Sequence, residues 1–177
     1  TGVVALHATV ISTALALLPG SAPAATARTT AIPDVTVLFG RALTIVRRTS
    51  RPTFARAVML EADGSSRRGR RVTTAAGIVR WRFVLDNQPS GTRFASATIS
   101  YGPPPARFGK VRGSRSPILE DVRIPKAPRM TLAVAVALLR GAGFTDGFVG
   151  VTLRRPLGPE PVNALYIFTV ASGEYVA

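Results

Sequence analysis

Apolar positions along this chain follow two periods, one helical and one of two, and the two alternate in blocks. After Pro33-Asp34, the stretch VTVLFGRALTIVRRTSRP places Val35, Leu38, Ala42 and Ile45 at helical spacing, with Val46 beside them. Asp34 is the expected N-cap and Pro52 lies beyond the end, while Gly40 weakens the middle of the helix. FARAVMLEADGSS reads as a short strand running into a turn at Asp63-Gly64. IVRWRFVLD alternates clearly, with Val79, Trp81, Phe83 and Leu85 on one face and Arg80, Arg82 and Asp86 on the other. That pattern predicts a half-buried antiparallel strand. Asn87 to Gly91 marks a turn, and FASATISY supplies a partner strand with Ala97, Ile99 and Tyr101 on one face. YGPPPARFGKVRGSRSP is a long Pro/Gly/Arg loop, and ILEDVRIP a further strand closed by Pro125.

The order then begins again. Thr131 is the expected N-cap of a helix LAVAVALLR, with Gly141 as its C′ residue. GFVGVTLRRPL predicts a strand with Val149, Val151 and Leu153 facing one way, GPEP a turn, and LYIFTV the next strand. Both faces of LYIFTV are mostly apolar, which predicts an interior strand. A turn at Ser172-Gly173 should lead to its partner, which starts at Glu174-Tyr175 and stops at Ala177, inside an unfinished hairpin arm. The helix from Leu132 to Leu139 has no polar position. Either its alanines fill a tolerant outer face, or it is covered on both sides, by its own sheet and by the first unit or a second chain. Helix followed by strands, twice, predicts an α+β layer fold of two helix-plus-antiparallel-sheet units. Their expected spans are 34–125, with long loop insertions, and 126–177, truncated at its C-terminus.

The first 27 residues change the picture of where this fold works. They carry no charge, and a long apolar run is followed by Pro19-Gly20 and small residues ending Ala25-Thr26-Ala27. This is the pattern of a secretory signal peptide, here without its basic start, cleaved near Ala27 and followed by a linker at 28–33. A membrane anchor is the competing reading. Export is the expectation, and all 23 Lys+Arg and nine Asp+Glu lie beyond Ala27, so the exported part keeps the net charge of +14. Such a charge favours polyanionic partners.

Composition also removes chemistry. There is no cysteine, and the single histidine, His7, sits in the leader. Hydrolysis by Ser-His-Asp or Cys-His logic is therefore excluded from the exported chain, as are disulfides and thiolate metal sites. Ser-Lys chemistry would need Lys110 or Lys126 desolvated beside a serine, and both lie in Pro/Gly-rich or Pro-bounded segments. Glu61 and Asp63, two apart on a strand, share a face and offer a carboxylate pair for a hard cation or for acid–base work. The plainer reading is turn chemistry and arginine pairing. No glycine pattern matches a phosphate loop, so no cofactor is expected. Two basic loops are candidate polyanion-binding elements: Arg67, Arg68, Arg70 and Arg71 in the first, Arg107, Lys110, Arg112 and Arg115 in the second. Nucleic acid is not the expected polyanion, since export and buried aromatics remove its usual stacking platform.

MTLAVAVALLRGAGF followed by FVGVTLRRPL and ALYIFTVASGEYVA resembles the PepSY-type domain of the cystatin-like α+β group. The unit with LEADG and VRWRFVLD looks like a diverged copy. The chain thus resembles a secreted protein of actinobacterial type with tandem PepSY-like repeats over Asp34 to Ala177. Acidic residues in the first helical turn and a closing Asp-x-x-Thr-Gly turn, both common in the family, are absent. The resemblance implies a non-catalytic, extracytoplasmic module that restrains peptidases or binds protein or peptide partners at the cell envelope. It carries over no functional residues. Electrostatic attachment to anionic polymers or membranes through the arginine loops is the alternative expectation, and a carboxylate-based hydrolase at Glu61 and Asp63 a third.

Overall fold

A computed structural model describes residues 32–49, 52–103, 105–119, 121–157, 163–170 and 175–176. The expected leader, the GPEP and Ser172-Gly173 turns and Glu120 lie outside these residues. Helix α1 (Val35–Thr49) is followed by strands β1 (Val58–Ser66), β2 (Ile78–Asp86) and β3 (Ser96–Gly102). Three short strands come next, β4 (Arg107–Phe108), β5 (Arg112–Ser114) and β6 (Asp121–Val122). Helix α2 (Leu132–Gly141) then precedes β7 (Phe148–Pro156), β8 (Leu165–Val170) and β9 (Tyr175–Val176). The sheet runs β4-β3-β2-β1-β7-β8-β9 and every pairing is antiparallel. The chain is thus an α+β fold in which helix-then-strands occurs twice and the two first strands, β1 and β7, meet at a central seam.

The two halves share one core. The buried face carries Trp81, Phe83 and Leu85 of β2, Ile99 and Tyr101 of β3, Val151 and Leu153 of β7, and Tyr166 and Phe168 of β8. Leu38, Phe39, Ala42 and Val46 of α1 join the same cluster, and so do Leu132, Ala135, Val136 and Leu139 of α2. Non-directional burial of apolar area holds the layers together, and no gap in the cluster separates one unit from the other. The opposite face of the sheet is mixed, with Ser65, Arg80, Arg82 and Ser100 exposed along it and Val84 and Ile167 buried.

Four details correct the expectations. Asp63-Gly64 is no turn: β1 passes straight through it, pairing Gly64 with Trp81 on one side and Val151 on the other. A Cβ at Gly64 would lie 2.9 Å from Ile78 Cγ2, Trp81 Cη2 and Val151 Cγ1, so the glycine makes room for the indole across the strand. In β2 a register shift turns Ile78 inward in place of Val79, and in β7 a shift between Phe148 and Gly150 does the same for Phe148 in place of Val149. ILEDVRIP forms only the two-residue β6 beside β7 and a single bridge from Ile124 to Met59. Finally, α2 runs through Gly141, and the left-handed C′ residue is Gly143, at φ +91°. Phe144 N–H donates to Leu139 O (3.2 Å) and Gly143 N–H to Arg140 O (3.0 Å), the paired bonds that close a helix C-terminus.

Candidate functional site

The site is built around α2, which is fixed at both ends and open along its side. At its start the Thr131 hydroxyl accepts from Val134 N–H at 3.3 Å. Asp34, the N-cap of α1, also reaches it: one carboxylate oxygen accepts from Thr36 N–H (2.9 Å), the other from Leu132 N–H (3.0 Å). At the far end the Arg140 guanidinium donates to the carbonyls of Phe144 (2.7 Å), Asp146 (2.9 Å) and Thr73 (3.4 Å). Between these anchors Leu132, Ala135, Val136 and Leu139 face the core. Val134 and Leu138 do not: they are 49% and 58% exposed, with Ala133 and Ala137 exposed beside them. The outer face of α2 is therefore not covered by the first unit.

A groove of about 900 Å³ opens along this helix. Ala135, Leu138 and Leu139 form one wall, continued by Ala142 and Phe144 beyond the helix end. The extended segment from Ile124 to Met130 forms the other. Tyr166 and Phe168, from the buried face of β8, lie at the floor. The Tyr166 hydroxyl donates to Met130 O at 2.7 Å, so floor and wall are tied together and the phenol's one donor is used. Burial, and secondarily the negative charge of Asp34, push this phenol above its ordinary pKa. Lys126, Arg129 and Arg155 contribute the charged part of the lining. Volume and lining match those of ligand clefts: mostly apolar walls with few polar groups.

The expected basic loops are only partly brought together. Arg67, Arg68, Arg70 and Arg71 follow β1 directly and are all exposed. Arg68 is held at φ 53°, left-handed backbone that a non-glycine residue adopts at some cost. Val72 closes the loop by exchanging backbone bonds with Phe148 at 2.9 and 3.0 Å. Arg107 pairs opposite Gly102 at the same end of the sheet, where it and Arg80 line a small cleft of about 290 Å³ with Ser100. Arg112 and Arg115 depart from this group: Arg112 pairs with Thr98, towards the opposite end of β3, and Arg115 follows it, while Lys110 lies between.

Glu61 and Asp63 share the outer face of β1, as expected, but in the middle of the sheet. Asp63 accepts from Arg82 Nη1 (3.0 Å) on β2 and from the Thr152 hydroxyl (3.1 Å) on β7. One oxygen thus serves β2 and the other the seam with β7, and Glu61 is engaged as well. Among the described residues no group of three His, Cys, Asp or Glu could hold a metal ion, and no helix is long and apolar enough to cross a membrane.

The groove is what the reading of the sequence missed. Its outer wall, PKAPRM, has no periodicity and reads as a boundary between units. The available signal was the unbroken apolarity of α2, more than one buried face requires. No protein family, curated protein or solved structure matches the chain. Fold and groove thus define only a class: an α+β protein whose described residues form one antiparallel sheet, two helices on its buried face, and an apolar groove beside the second.

Proposed function

We propose that this chain is a non-enzymatic binding module that takes an apolar segment of a protein or peptide partner into the groove beside α2. We further propose that it acts outside the cytoplasm, at the cell envelope, as a tandem PepSY-like protein whose partners include peptidases. The repeated order of helix and three strands and the signal-like residues 1–27 support that placement. One observation carries the binding reading: the apolar groove of about 900 Å³, lined in part by the exposed Leu138 and Phe144. Exposed apolar surface of this kind marks interaction sites.

The test is selection from a random peptide library on the folded protein, counter-screened on Leu138→Glu. Leu138 is more than half exposed, so the variant should fold, and the buried Trp81 reports whether it does. Peptides that bind the parent and are lost on Leu138→Glu are expected. No selected peptides, or peptides indifferent to position 138, would sink the reading.

A second reading rests on a separate observation, the gathering of the Arg67 to Arg71 loop with Arg80 and Arg107 at one end of the sheet. Here the protein would attach to anionic polymers or membranes. Binding to anionic vesicles should then fall steeply with salt and vanish when Arg67, Arg68, Arg70 and Arg71 are neutralised together. Salt-independent binding would count against it.

A further inference from the structure

Resting on the groove reading, we infer that the occupant is an amphipathic α-helix of a partner protein, with acidic residues flanking its apolar stripe. The first argument concerns the occupant's backbone. An extended peptide needs donors and acceptors along its length, and the outer wall of the groove cannot present an unbroken row of donors. Pro125 and Pro128 have no N–H, and Ile124 N–H is already given to Met59 O at 2.8 Å. The floor strand β8 is paired with β7 along its length and with β9 at Phe168 and Thr169. An extended chain laid along that wall would bury carbonyls opposite the prolines without partners. A helix satisfies its own amides and brings only side chains.

The second argument concerns width. An acyl chain would fill the groove and leave the lip in water. Val134, one helical turn before Leu138 and outside the groove lining, is 49% exposed and lies on that lip. A helix packed against α2 at the usual separation of about 8–10 Å covers groove and lip together. This is the helix-in-groove mode of recognition.

The third argument is charge. Lys126, Arg129 and Arg155 border the apolar walls, and the whole chain carries +14. That field opposes a second copy of this protein or any basic helix, and favours glutamates or aspartates beside the stripe.

Three labelled synthetic peptides test the proposal by fluorescence anisotropy: a helical Leu/Ala stripe flanked by glutamate, a twin with lysine for glutamate, and a glutamate version with two central prolines. The acidic helix should bind, with the lysine twin and the proline version weaker by roughly tenfold or more, equivalent to about 1.4 kcal/mol. Leu138→Glu should cost the acidic helix a similar factor, and Lys126→Glu with Arg129→Glu should shift preference to the lysine twin. That gain of binding cannot come from misfolding. Equal binding of the proline version would overturn the helix, and equal binding of the lysine twin would overturn the charge. If dodecanoate binds in a Leu138-dependent way while no peptide does, the groove is an amphiphile site and the proposal fails. Library peptides that depend on Leu138 while the acidic helix fails would refute this proposal alone. Dependence of neither on Leu138 would remove both.

Discussion

Asp34 divides its carboxylate between the start of its own helix and that of α2, 98 residues away at Leu132. Each oxygen holds one N–H, and each helix dipole presents its positive end to the same negative charge. Removing one cap costs about 1 kcal/mol, so Asp34→Ala should lose about 2 kcal/mol in urea denaturation. Asp34→Asn should recover no more than half of that, because its amide would face the second N–H with a donor. Tyr166 predicts a pH dependence. Its phenol is held above the ordinary value, so the folded chain keeps a proton that the unfolded chain loses at about pH 10. That stability is complete below about pH 10 and is lost as the pH rises through the folded value. Tyr166→Phe should lose about 1 kcal/mol at neutral pH with its bond to Met130 O, and show a flatter decline in alkali. An unchanged alkaline decline would place its cause elsewhere. Asp34 was legible as the cap of its own helix, because Pro33-Asp34 precedes the first apolar position. Its second bond was not, since it exists only once the two units pack.

At the level of elements, two glycines separate local preference from packing. Gly40 lies exposed in α1, and a Cβ added there would meet no atom within 4 Å, so Gly40→Ala should stabilise by about 0.5–1 kcal/mol. Gly64 is buried in β1, and Gly64→Ala should destabilise by about 1–3 kcal/mol through overpacking against Trp81 and Val151. Thermal unfolding of the two variants should move in opposite directions. The same contrast explains what the sequence let through. β2 was readable because from Arg80 to Phe83 only one of its faces is buried, and alternation survives in those residues. β1 was misjudged at Asp63-Gly64, where ordinary turn chemistry competed with the space needed by an indole one strand away. The groove was illegible for a related reason: one wall is an aperiodic segment, and only the meeting of α2, that segment and β8 creates it.

For the molecule as a whole, the decisive fact is that one sheet and one core serve both helix-plus-strands units. The helix-then-strands repetition was readable from the order of periodic blocks. The central seam was not, because nothing in β1 or β7 alone names its neighbour. Residues 32–125 and 126–177 expressed apart should each lack a cooperative unfolding transition, since each would expose a full strand edge and half a core. A sharp transition in either piece would contradict the shared core. The seam also has a consequence in time. When the chain is made or refolded from its N-terminal side, β1 can pair with β2 at once, but its other edge stays bare until β7, some eighty residues further on, arrives. A bare apolar edge invites pairing with other chains, and charge beside it discourages them. Arg67, Arg68, Arg70 and Arg71 stand directly after β1. In the unfinished chain their charge would oppose such pairing, whatever they meet once the fold is closed.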